Sequence, residues 1–311
     1  MLIGQLYNLS LIVEQIMKAK SWTGYLLIFP AILIIMFVFL YPIIEAFDMS
    51  LQDIILTRPQ SESQYIGFTN YANLINNEYF WNSVRITGIW LIANLICQMI
   101  FGLLIALLLN NEYKGRSIFR GLMLIPWATP SVVAVLSWRW MFDAQFGIIN
   151  AALVRIGIME SGIAWLGNVS TSLVAVTIES IWKGTPFVMV IILAGLQTIP
   201  EEIYEAAEVD GANYLNKLWY IILPMLVPSI TIAITLTMIY TFNNFNSIWL
   251  ITEGGPLRAT ETLTILVYSL GFRSFNLGEA SALGIIILFM LIMLTVISGR
   301  HYFRSRLINI S

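Results

Sequence analysis

Apolar residues recur along this chain in six long runs, at about 23–46, 85–110, 117–141, 171–197, 222–249 and 279–300. Each is long enough to cross about 30 Å of hydrocarbon as a helix, which takes roughly 20 mostly apolar residues. Lipid offers no partner for a bare amide, so all six are predicted to be helical. Ahead of them, Leu2, Leu6, Leu9, Val13, Ile16 and Met17 recur at helical spacing between polar residues. That pattern predicts an amphipathic helix over 1–22, lying in the membrane interface. Lys18 and Lys20 come after its apolar positions, the reverse of a cleaved signal.

Composition agrees with a polytopic membrane protein. Of 311 residues, 58% are hydrophobic and only 11% charged, and too little charge remains to cover a soluble domain. The net charge of −2 carries no nucleic-acid signal. A single cysteine, Cys97, excludes an internal disulfide, and a single histidine, His301, leaves little material for a metal cluster or histidine catalysis.

Basic residues set the expected orientation. Lys18, Lys20, Lys114, Arg116, Arg120, Lys217, Arg300, Arg304 and Arg306 fall on one side of the predicted spans, while the other side has scattered arginines in longer loops. The dense side is expected to be cytoplasmic, with both termini inside and the loops 47–84, 142–170 and 250–278 outside. Those loops carry Tyr65, Phe68, Tyr71, Trp81, Phe146 and Trp165. Such aromatics suit an interfacial belt or a surface for an external protein.

The connection between spans four and five, from Thr198 to Pro228, is unusual for a membrane loop. Pro200 can open a helix, and Glu201 and Glu202 favour its positive N-terminal end. Ile203, Ala206 and Ala207 are expected to share a side of little bulk, open to another protein. Asp210 and Gly211 then end the helix, since glycine readily takes the positive φ required there. A second helix follows, with Leu215, Leu218, Trp219 and Ile222 expected toward the membrane and Pro224 and Pro228 at the start of span five.

Glu205-Ala206-Ala207, then Gly211, Ile221 and Leu223-Pro224, match the EAA motif of binding-protein-dependent ABC importers at every defined position. The chain resembles their permease subunits over nearly its whole length. Leu27–Pro42, Gly67–Tyr71, Arg120–Trp140 and above all Thr252-Glu253-Gly254-Gly255-Pro256 are similar to the carbohydrate, maltose-type branch. The resemblance implies an all-α, six-span type I importer fold in a prokaryotic inner membrane, with 23–311 as the permease domain and 198–222 as its coupling loop. It implies that Glu205 pairs with a basic group of an ATP-binding subunit, while Ala206, Ala207, Asp210 and Gly211 allow close docking and a sharp turn. The implied partners are a second, homologous permease subunit, two copies of the ATP-binding subunit and an extracytoplasmic solute-binding protein. No cofactor is expected in this chain, and its sequence has no G-x-x-x-x-G-K-[ST] phosphate loop. ATP and magnesium would be held by the ATP-binding subunits.

Polar residues inside spans are costly and point to a path for solute. Thr237, Thr241 and Asn244 fall at i, i+4 and i+7, flanked by Tyr240 and Asn243; Ser180, Gly184 and Phe187 repeat the spacing in span four. These stretches resemble the family segments that line a sugar pocket, and a sugar needs both polar partners and aromatic faces. Threonines can instead bond the preceding turn or a neighbouring helix. Glu179 and Lys183, one turn apart, can pair as a structural salt bridge, or Lys183 can touch solute or gate its access; the family more often has an apolar residue at position 183. The expected function is ATP-driven import of di- or oligosaccharides by alternating access. Import of glycerol-3-phosphate or another polyol is the alternative, an ATP-independent transporter or channel a more distant one, and a membrane scaffold the least supported.

Overall fold

The computed structural model describes residues 24–58 and 64–308, with side chains through 299; the expected interfacial helix over 1–22 lies outside the described residues. The described residues are mostly helical, as the runs predict. The first span, α1 (Gly24–Ser50), is apolar and almost wholly unburied, and it rests on the rest of the fold only near its C-terminal end. A two-stranded ladder, β1 (Gln52–Asp53) with β2 (Gln64–Tyr65), and α2 (Thr69–Ile75) then lead into α3 (Glu78–Asn110). Asn77 caps α3 through a bond from Tyr79 N–H at 2.9 Å.

Span three departs from the single helix expected over 117–141. It is two helices, α4 (Arg116–Ala128) and α5 (Ser131–Met141), bent by 89°. The cause is local. A residue before proline is pushed out of the helical region, and Thr129, before Pro130, is extended at φ −67°, ψ 129°. Beyond α6 (Ile148–Arg155) come α7 (Val169–Leu196), the short α8 (Glu201–Val209) and α9 (Leu223–Phe242), then α10 (Phe245–Thr252), α11 (Leu263–Arg273) and α12 (Leu277–Ile308). Helical turns at Tyr214–Lys217 and Leu218–Ile222, the second π-helical, lead into α9. A π-turn ahead of Pro224 fits a proline that supplies no donor to the ladder.

The centre of the fold is the pairing of α3 with α7, onto which α9 closes. In lipid no hydrophobic drive separates helix from helix, so close approach of small residues carries packing. A Cβ on Gly102 would lie 2.6 Å from Val188 Cγ1, and one on Gly195 2.3 Å from Ser229 Oγ. Ala106, Val188, Ile192 and Leu226 fill the core toward the end that carries α8. Leu74, Phe80, Leu263 and Leu283 fill it at the opposite end. There the loops are tied down: the Ile54 carbonyl accepts from Leu277 N–H at 2.9 Å, and Asn70 donates to the Ser50 and Gln52 carbonyls at 2.8 and 2.9 Å.

Candidate functional site

Two places in the fold gather the residues singled out from sequence. The first is a cleft of about 390 Å³ between α3, α7, α9 and the two breaks in the helices. It lies within the size range of small-molecule sites. Ser180, Lys183, Gly184 and Phe187 reach it from α7, and Thr237, Tyr240, Thr241 and Asn244 from the other side. Asn243 does not line it: its side chain is exposed and donates back to the Ile239 carbonyl at 3.0 Å.

The stripe expected along one helix face in span five is interrupted. Helix α9 ends at Phe242, and Asn244 is the N-cap of α10, its Oδ1 accepting from Ser247 N–H at 3.2 Å. Asparagine is a preferred cap because its side chain satisfies an orphan donor of the first turn. The break turns the Asn244 amide toward α7, with Nδ2 3.0 Å from Ser247 Oγ and 3.5 Å from Ser180 Oγ. Thr237 is buried, and its hydroxyl has no partner among the described residues. Phe187 and Tyr240 meet edge to face with centroids 5.3 Å apart, an aromatic wall beside polar groups.

The salt bridge considered between Glu179 and Lys183 does not form. Among the described residues no carboxylate oxygen lies within 4.0 Å of the ammonium; Lys183 Nζ donates instead to the Thr129 carbonyl at 2.6 Å. That carbonyl closes the broken end of α4, where no further helical turn supplies a donor. Glu179 is fully buried, and neither of its oxygens has a hydrogen-bond partner among the described residues.

Sequence reasoning missed a polar ladder on α3. Trp90 Nε1 donates to the Thr241 carbonyl at 3.1 Å, Asn94 Nδ2 to the Trp90 carbonyl at 2.9 Å, and Gln98 Nε2 to Asn94 Oδ1 at 3.0 Å and the Ser180 carbonyl at 3.2 Å. Gln98 reaches the cleft wall, as do Trp127 and Ser131 from either side of the bend and Ser247 from α10. Asn94 and Gln98 satisfied the criterion applied to spans four and five: polar residues inside an apolar run.

The second place is α8. Pro200 is its N-cap, Glu201 and Glu202 occupy the first turn, and Gly211 follows its end at φ +77°. Gly211 N–H bonds the Glu208 carbonyl at 3.0 Å and Ala212 N–H the Ala207 carbonyl at 2.9 Å, the paired bonds of a Schellman end. Lys217 grips Glu208 at 2.7 Å across the turn and holds its carboxyl below the ordinary value, by hydrogen bond and charge. Glu205 and Ala206 are exposed, and Asp210 is exposed at the turn. Ala207, expected on the outward side, is buried against its own chain, on the face shared with Ile203 and Tyr204. The outward face carries Val209 instead, an apolar side chain left 89% exposed. In the turns that follow, Leu218 and Ile222 join the core, whereas Leu215 and Trp219 stay outside it.

Residues 98–309 match the family described as the binding-protein-dependent transport system inner membrane component. The chain belongs to that family. Among its relatives, a probable ABC transporter permease protein of Brucella suis biovar 1 is 33% identical over 281 residues, covering 90% of this chain and 96% of that protein. The trehalose/maltose transport system permease protein MalF of Thermococcus litoralis is 33% identical over 277 residues, covering 88% and 91%. Among solved structures, a bacterial ABC transporter involved in the import of the acidic polysaccharide alginate superposes with a TM-score of 0.79 at 21% identity, over 92% of this chain and 96% of that one. The likeness shows a shared fold, that of a type I importer permease. The chain is therefore an ABC importer permease and not an enzyme. Its α8 carries Glu205, Ala206 and Ala207, and its cleft lies between α3, α7 and α9.

Proposed function

We propose that this permease carries a neutral di- or oligosaccharide through the cleft between α7 and α9, driven by ATP hydrolysis in separate subunits. The observation that carries the reading is the composition of the cleft wall: amide and hydroxyl groups of Gln98, Ser180, Thr237 and Asn244 beside the Phe187–Tyr240 pair. A sugar offers hydroxyls to the first and apolar ring faces to the second. The trehalose/maltose relative supports this cargo. Phosphorylated cargo such as glycerol-3-phosphate would call for cationic donors. Among the described residues the cleft wall has Lys183 as its one cation, already bonded to Thr129.

In this reading the end bearing α8 faces the cytoplasm together with both termini, because the short basic connections lie there. A second, homologous permease subunit completes the path, and two ATP-binding subunits, which hold ATP and magnesium, grip the paired α8 helices. An extracytoplasmic binding protein delivers solute to the opposite loops. Closure of the ATP-binding dimer pushes on Glu205, Ala206 and Val209, and the rigid α8 end transmits the push to α9.

The test is Asn244→Ala in the complete complex, reconstituted with its binding protein and the saccharide that most raises that protein's melting temperature. Loss of hydrogen bonds to solute worth about 1–1.5 kcal/mol corresponds to a roughly tenfold fall in transport, with assembly intact. Asn244→Ser keeps a cap for α10 but not the amide, and is expected to fall similarly. Transport at the parental rate in both removes Asn244 from the solute path.

A further inference from the structure

We propose that Lys183 is a positioning residue: it pins the right-angled break in span three against α7, so that Trp127 and Ser131 form one wall of the cleft. The sequence of causes begins at Pro130, which forces Thr129 out of the helix and turns α5 away from α4 by 89°. In a straight helix the Thr129 carbonyl would accept from the amide four residues on. The bend takes that amide away and leaves a carbonyl without a helical partner at the negative end of the α4 dipole. An ammonium answers both needs, since it brings positive charge and donates at 2.6 Å.

The choice Lys183 makes is informative. Glu179 lies one turn away on the same helix, the spacing at which opposite charges meet on a helix surface, yet it is not within salt-bridge distance and its oxygens lack partners among the described residues. The lysine has reached across to the break instead. Thr129 itself is otherwise occupied, its N–H and hydroxyl both donating to the Ile125 carbonyl at 3.0 and 2.7 Å. Only its carbonyl is left for a neighbouring helix to hold. Because Trp127 and Ser131 stand two residues to either side of Thr129 and both line the cleft, the bond fixes the bend where the cleft needs it. This last step rests on the reading of the cleft as the solute path; the pin itself does not.

The experiment reads the bend directly. Spin labels replace Phe119 and Trp140, exposed on the two arms, in the full complex with Cys97→Ser. At 1.5 Å per residue the labelled backbone positions are about 22 Å apart across a right angle and about 32 Å apart in a straight helix. The parent and Lys183→Arg, which restores a charged donor, are expected to give the short distance. Lys183→Met is expected to move the distribution toward the long one, as Pro130→Ala does by restoring the ladder. An unchanged distribution in Lys183→Met overturns the proposal. If that variant does not assemble, Lys183→Gln, shorter and uncharged, is measured in its place with the same expected shift, and the same unchanged result overturns it. No solute is present, so the outcome is independent of the Asn244 transport test. A shift with Lys183→Met alongside normal transport in the Asn244 variants keeps the pin and removes Asn244 from the solute path.

Discussion

Gly211→Pro is expected to reduce solute-stimulated ATP hydrolysis and transport by the assembled complex to background. Gly211 sits at φ +77° and donates its N–H to Glu208. Proline is fixed near φ −65° and has no N–H, so it can neither take the conformation nor make the bond; the mismatch costs about 3 kcal/mol or more. The end of α8 unwinds, Lys217 loses its register with Glu208, and the outward face carrying Glu205, Ala206 and Val209 is re-aimed. Gly211→Asn separates geometry from bulk, because asparagine tolerates the left-handed region. It is expected to keep most of the coupling. Phosphate release and solute uptake in proteoliposomes, measured on the same preparations, give the comparison. Parental coupling in the proline variant would mean that the α8 turn is not in the path of force.

A comparably large effect is expected from Gly102→Leu, this time on assembly. The first carbon added at Gly102 would meet Val188 Cγ1 at 2.6 Å, Val188 Cβ at 2.8 Å and the Met189 amide nitrogen at 3.1 Å. A backbone nitrogen in a packed helix cannot swing aside, so α3 and α7 must separate. Overpacking of this kind costs about 1–3 kcal/mol and at times more. The separation also draws Gln98, one turn away, from the Ser180 carbonyl it bonds. Gly88→Leu on the same helix is the control, since a Cβ there meets nothing within 4 Å. The purified complex is expected to melt at a clearly lower temperature with Gly102→Leu and near the parental one with Gly88→Leu. Equal melting temperatures would show that α3 and α7 pack less closely at Gly102 than described.

The spans and the α8 helix with its Gly211 turn were legible because both are local. Twenty apolar residues in a row have one stable form in lipid, and Pro200, Glu201, Glu202 and Gly211 each act on the turn in which they sit. What sequence reading missed depends on neighbouring helices. The i, i+4 spacing of Glu179 and Lys183 offers a pair, but an orphan carbonyl on another helix competes for the lysine. Thr237, Thr241 and Asn244 follow a helical period, yet asparagine also caps helices, and the local competition was settled at Asn243 in favour of a break. The same break exposes the Thr241 carbonyl that Trp90 takes up, which links α3 to the cleft. Ala207 faces inward because the Schellman bonds fix the helix end, and with it the rotation of α8. Pro130 did carry a readable signal for the bend, through its effect on Thr129.

If α8 is where an ATP-hydrolysing partner acts on this permease, the two must touch there. Ala206→Cys, in a Cys97→Ser background, puts a single reactive thiol on the exposed face of α8. With cysteines placed along the surface of the co-expressed ATP-binding subunit, oxidation is expected to join the two chains through residue 206 and to arrest ATP hydrolysis until the bond is reduced. A thiol that never cross-links, in a complex that still moves solute, would contradict the account.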